Sequence, residues 1–129
     1  MNSKSTIITG AFAGTIAVML GAFGAHGLKP MLLESGRWDT FNLAVEYQFY
    51  HTFALVVTGI ISLHFNSRKF SYAGISFVVG IILFSGSLYL LSILDKPILG
   101  AVTPLGGVGF ILGWLFLALG MLQNKKAPH

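Results

Sequence analysis

The chain has 129 residues, 54% of them apolar or aromatic and only 9% charged, with a mean hydropathy of +0.78, whereas soluble domains usually carry about 25% charged residues. A chain so poor in charge cannot cover a water-facing surface, its length suits a single domain over 1–129, and the absence of cysteine excludes disulfides, thiol nucleophiles, iron–sulfur clusters and Cys-ligated zinc. The net charge of +4 does not point to nucleic acid, because the eight basic residues sit at the ends of apolar runs, as membrane flanks do.

Charges punctuate the chain. Residues 5–25 hold none, 40–63 hold only Glu46, and 70–94 and 97–124 hold none. Each run reaches the roughly 20 residues needed to cross a hydrocarbon core of about 30 Å. Lipid offers the backbone no hydrogen-bond partners, so such runs must be helical. The predicted spans are 6–26, 40–64, 70–94 and 104–122. The fold class is all-α, an integral membrane four-helix bundle.

The first span ends in GAFGAHGL (21–28), a histidine among small residues, and Lys29-Pro30 marks its stop. A cleaved signal peptide competes for this segment, with Lys4, an apolar stretch and small residues near 22–24. Three further spans and the length of the run favour a retained helix. LKPMLLESGRWD (28–39) suggests a short interfacial element over 29–38, and Trp38 suits an interfacial anchor. Asn66-Ser67-Arg68-Lys69 follows the second span, Asp95-Lys96-Pro97 the third and Asn124-Lys125-Lys126 the fourth. Thr103 before Pro104 reads as an N-cap with proline at the first helical position.

Lysine and arginine counts set direction. Lys4, Arg68, Lys69, Lys125 and Lys126 fall on one side; Lys29, Arg37 and Lys96 fall on the other. The positive-inside rule then places both termini in the cytoplasm. Small residues allow close helix approach in lipid. Gly10, Gly14, Ala17, Gly21 and Gly24 form one stripe, while Gly106, Gly113 and Gly120 repeat every seven residues beside Gly109. Each stripe predicts a neighbouring helix, from the same chain or a second copy.

With direction assigned, the polar groups gather in the outer leaflet: His26, Glu46, Tyr47, Gln48, His51, Ser85, Ser87, Tyr89, and the helix start with Thr103, Gly106 and Gly107. The inner half holds only Thr58, Ser62, Ser76 and, at the rim, His64. Ionisable groups within spans tend to face a bundle interior, a partner or a wet cavity. At 100° per residue Asn42, Glu46 and Tyr50 share one face of their helix, and Gln48 and His51 another. Glu46 and His51 therefore do not converge, and Glu46 pairing with Arg37 or Lys29 is an alternative. A metal held by His26 and His51 lacks a well-placed third ligand, haem lacks a second axial histidine at matching depth, and Ser85-Gly86-Ser87 lacks a fixed base. No metal or cofactor is expected. The Thr103–Gly107 turn has free N–H groups that could meet an anion or lipid headgroup, though an ordinary capped entry accounts for it as well.

GAFGAHGLK (21–29), WDTFNLAVEYQFYHTFAL (38–55), FSGSLYLL (84–91) and TPLGGVGFILGW (103–114) together resemble the family of small membrane proteins called domain of unknown function 423. The resemblance covers nearly the whole chain. It implies a four-helix integral membrane protein, in bacteria of the cytoplasmic membrane, and carries no established reaction. It marks His26, Trp38, Tyr47, Gln48, His51, Ser85, Gly86, Ser87, Tyr89, Thr103, Pro104, Gly106, Gly107 and Trp114 as motif positions. The expected function is non-enzymatic: binding or transport of a lipid headgroup or small polar solute through an outer-leaflet pocket. The expected partners are membrane lipids and further copies of the chain or a larger membrane complex. A structural accessory subunit is the alternative, and an intramembrane enzyme built on His51 with Glu46 or Tyr89 a weaker one.

Overall fold

A computed structural model of the chain describes residues 1–124. Lys125 and Lys126, counted above for orientation, lie outside the described residues. Among those described, every regular element is helical: α1 (Ser3–Phe23), α2 (Lys29–Glu34), α3 (Trp38–His64), α4 (Arg68–Gly80), α5 (Gly86–Leu94) and α6 (Thr103–Gln123). A π-helical turn over Gly24–Leu28 joins α1 to α2, a second over Ile81–Ser85 joins α4 to α5, and a 3₁₀ turn over Pro97–Ala101 leads into α6. The chain thus forms four rods. Three of them, Ser3–Glu34, Arg68–Leu94 and Pro97–Gln123, are long and apolar enough to cross a membrane. The fourth, α3, has 27 residues. It is long enough too, but carries Asn42, Glu46, Gln48, His51 and Thr52.

The expected break at Lys29-Pro30 is replaced by a continuing helix. Pro30 falls in the first turn of α2, where its missing N–H costs least. The π-helical turn just before it widens the backbone, which relieves the clash of the proline ring with the carbonyl four residues back. The segment expected to lie flat as an interfacial element therefore prolongs the first rod to Glu34, and the reversal comes at Ser35–Arg37. There Gly36 adopts φ +73°, a left-handed conformation that glycine takes at no steric cost.

The rods pack as two antiparallel pairs. α1 lies along α3, and the α4–α5 rod lies along α6, while α3 joins the pairs by packing on α4, the second π turn and α5. Both glycine stripes are used inside these pairs. A Cβ placed on Gly10 would meet Val56, one on Gly14 Thr52 and one on Gly24 the Phe41 ring. On the other pair the register is regular. Gly106 abuts the backbone at Phe84, Gly113 the Phe77 ring and Gly120 the Phe70 ring. Phe70, Phe77 and Phe84 repeat every seven residues, like the glycines opposite them. The order reverses between these contacts, where Gly80 receives the Phe110 ring. The neighbour predicted by each stripe is thus another helix of the same chain.

Two cores result. One gathers Ala54, Leu55, Phe70, Ala73, Phe77, Phe110 and Leu117. The other gathers Leu32, Phe41, Ala44, Leu88 and Tyr89 toward the end of the bundle that carries Asp39 and Asp95. At that end Asp95 closes α5 in a left-handed conformation, φ 50°, and accepts a hydrogen bond from Arg37 Nε at 2.8 Å. One ion pair thereby ties the α2–α3 turn to the α5 terminus.

Candidate functional site

Most polar side chains between the helices form donor–acceptor pairs, whereas the buried hydroxyls of Thr52 and Thr58 on α3 have no partner among the described residues. Gln48, on α3, spans the layer: its Nε2 donates to the Ala13 carbonyl on α1 at 2.9 Å, and its Oε1 accepts from the Tyr89 hydroxyl on α5 at 2.6 Å. Tyr89 also sets its ring edge on Phe41, centroids 5.3 Å apart. Ser85, fully buried in the second π turn, donates to the Ala44 carbonyl at 2.7 Å. Ser87 donates to the Phe84 carbonyl at 2.9 Å and shares a hydrogen bond with Thr103 Oγ1 at 2.6 Å. Each bond links two rods or pins the π turn, and in an apolar interior each satisfied group avoids the cost of burial without a partner.

Thr103 corrects an expectation. Val102 rather than Thr103 occupies the N-cap position of α6, and no side chain caps the helix; the Thr103 hydroxyl bonds Ser87 instead. The 3₁₀ turn ahead of α6 supplies carbonyls as well: Leu105 N–H reaches the Val102 carbonyl at 3.1 Å. With Gly106 pressed on the Phe84 backbone, this helix start is occupied by its neighbours.

His51 lies on the other side of α3. Its Nδ1 is 2.7 Å from the Tyr47 carbonyl, and its Nε2 accepts from Trp114 Nε1 on α6 at 3.1 Å. A carbonyl can only accept and an indole N–H can only donate. The pair of bonds therefore defines a neutral ring with its proton on Nδ1. That ring stacks on Phe110, centroids 3.5 Å apart and planes within 8°. Phe110 in turn fills the space above Gly80, so the absence of a side chain on α4 places the histidine.

This stack floors a groove of about 560 Å³ between α3 and α6, lined by Tyr47, Tyr50, His51, Phe84, Gly107, Phe110, Ile111 and Trp114. Tyr47 lies against both Tyr50 and Phe84, centroids 5.7 and 4.6 Å apart, which makes one wall continuously aromatic. Among the proposed site residues the structure therefore forms two groups. Gln48, Tyr89, Ser85, Ser87 and Thr103 are bonded inside the bundle, and Tyr47, His51 and Gly107 line the groove. Gly106 is the contact point between α6 and the second π turn. His26 and Glu46 belong to neither group, since both are exposed on the bundle surface. Arg37 is paired with Asp95 rather than with Glu46, and the Lys29 ammonium lies 5.1 Å above the Trp38 ring. Among the described residues no three His, Asp or Glu side chains gather as a metal would need. Tyr50, Phe84, Phe110, Ile111 and Trp114 were not proposed from sequence as site residues, although Tyr47, Tyr50 and His51 on α3 and Phe110 and Trp114 on α6 cluster rings at helical spacing and offer a signal.

Long apolar rods, locked by hydrogen bonds that run between helices, define a small helical membrane protein. The model of the family described as protein of unknown function (DUF423) matches residues 20–107, and the chain belongs to that family. It is 45% identical over 120 residues to a UPF0382 membrane protein of Staphylococcus epidermidis, covering 93% of this chain and 97% of that one. It is 40% identical over 121 residues to the UPF0382 membrane protein YwdK of Bacillus subtilis, covering 93% and 98%. With the UPF0382 inner membrane protein YgdD of Escherichia coli it shares 36% over 128 residues, covering 98% and 95%. No solved structure matches the chain.

Proposed function

We propose that the protein is a four-span bundle of the bacterial cytoplasmic membrane that binds a lipid in the groove between α3 and α6. In this reading both termini are cytoplasmic and the Asp95 end faces outward, as the Arg68-Lys69 turn at the opposite end suggests. α3 is the fourth span, its Gln48 satisfied within the bundle and its His51 by Trp114. One observation carries the function: an aromatic groove of about 560 Å³ opens on the flank of two long helices, within the size range of small-molecule sites. What reaches such a groove laterally in a bilayer is an acyl chain, and its lining of rings and Ile111 suits one.

This reading moves the ligand from where the sequence suggested. Gln48, Tyr89, Ser85, Ser87 and Thr103 are taken up by hydrogen bonds of their own and hold the helices together, so the headgroup chemistry must come from residues outside this bonded group. The accessory-subunit alternative loses its main argument, because both glycine stripes are covered within the chain. An oligomer or larger complex would have to use other faces.

The test is to purify the protein gently and quantify co-purifying lipid by mass spectrometry, for the native chain and for Ile111→Trp, which fills the groove. Retained lipid that falls severalfold in the variant supports the reading. Equal retention in both overturns it.

A further inference from the structure

We infer that the lipid recognised at this groove carries an ammonium headgroup with free N–H donors, as an aminophospholipid does, and that Glu46 and Asn42 select it. The inference rests on the groove reading above. Glu46 stands on α3 one helical turn from Tyr50, which lines the groove, and Asn42 stands one turn further toward the Asp95 end. Glu46 is exposed on the flank of the bundle, and among the described residues it makes no hydrogen bond or ion pair. Of the three cations of that end, Arg37 is held by Asp95 and Lys29 lies above Trp38, while Lys96 stands exposed just past the α5 terminus.

Depth matters here. Seven residues separate Glu46 from Asp39 in the outer charged rim, about 10 Å along the helix. Helical side chains lean toward the helix N-terminus, which on α3 is the outer end, so the carboxylate is directed back to the headgroup region. An acid at such a depth calls for a partner, and among the described residues none forms an ion pair with Glu46. A lipid whose acyl chain lies along Tyr50 and Trp114 brings its headgroup to the same flank. Its ammonium would meet the Glu46 carboxylate, and the Asn42 amide could donate to its phosphate. A lipid with phosphate but no amine brings only like charge. A quaternary ammonium brings charge without N–H donors.

Native mass spectrometry in mild detergent tests this, with dioleoyl phosphatidylethanolamine and dioleoyl phosphatidylglycerol offered at equal concentration. The native chain should retain the ethanolamine lipid about three- to fivefold over the glycerol lipid, the scale of a partly exposed ion pair. Glu46→Gln should bring the two within about 1.5-fold while total lipid stays the same. Ile111→Trp should lower both lipids together and keep their ratio, which separates failure of the groove from failure of the headgroup assignment. Equal retention by the native chain, or a preference untouched by Glu46→Gln, overturns the inference. So does a dimer in the native chain that Glu46→Gln dissociates without altering lipid preference, since Glu46 would then be a contact between copies.

Discussion

Gly113 lies directly on the Phe77 ring: a Cβ built on that glycine would sit 2.5 Å from ring carbons Cδ1 and Cε1. Phe77 is fully buried and cannot move aside. Gly113→Ala should therefore force the α4–α5 rod and α6 apart and cost about 1–3 kcal/mol, the usual penalty of overpacking. Pairing it with Phe77→Leu should restore part of that loss. Thermal unfolding in detergent of the two single variants and the double variant measures both effects.

A second prediction concerns the bond between Tyr89 and Gln48. Tyr89→Phe removes one donor and should destabilise by about 0.6–2 kcal/mol, the range for polar contacts between membrane helices. Gln48→Leu loses the bonds to both Tyr89 and Ala13 and should cost more. The double variant should cost less than the sum of the two, because the shared bond is counted once. A double-mutant cycle on unfolding checks this; strict additivity would mean that the bond contributes nothing.

The tautomer of His51 is open to direct observation. With Tyr47 accepting and Trp114 donating, ¹⁵N spectra of histidine-labelled protein should show His51 protonated at Nδ1 and bare at Nε2. Trp114→Phe removes the donor and should release that ring from its single state, shifting its Nε2 resonance. An Nε2–H ring in the native chain would contradict the arrangement.

The direction of the bundle can be read with reagents, since the chain has no cysteine of its own. Asn66→Cys, in the α3–α4 turn, should resist a membrane-impermeant maleimide in intact cells and react after lysis. Lys96→Cys should react in intact cells. The reverse pattern would place the groove mouth and Glu46 in the cytoplasmic leaflet.

Much of this architecture could be read from charge spacing alone. The helix ends at His64 and Leu94 fall where Asn66–Lys69 and Asp95–Pro97 announce them. The glycine repeat of Gly106, Gly113 and Gly120 announces a tight partner, and the matching repeat of Phe70, Phe77 and Phe84 would have named it. Rings and glycines at equal spacing on successive antiparallel helices interlock. Depth brought Gln48, Tyr89, Ser85, Ser87 and Thr103 to one level, but depth says nothing of rotation about the helix axis. That is why His26 and Glu46, at comparable depth, lie on the outside while Gln48 lies within. The groove escaped for a different reason. Its floor depends on Phe110 entering the space above Gly80, a tertiary fit between a ring and a bare backbone position 30 residues away, which no single-helix periodicity encodes. The π turns escaped because nothing local distinguishes them from α-helix; one accommodates Pro30 and the other delivers Ser85 to the Ala44 carbonyl.

The claim on which the functional account turns is that the α3–α6 groove holds an acyl chain, and a density map of the protein in lipid nanodiscs examines it most directly. The account predicts a narrow, elongated density lying against Tyr50, Ile111 and Trp114, with the His51–Trp114 bond intact behind it and a headgroup beside Glu46. A groove closed by Trp114 turning inward, or filled by a helix of another protein, would contradict it.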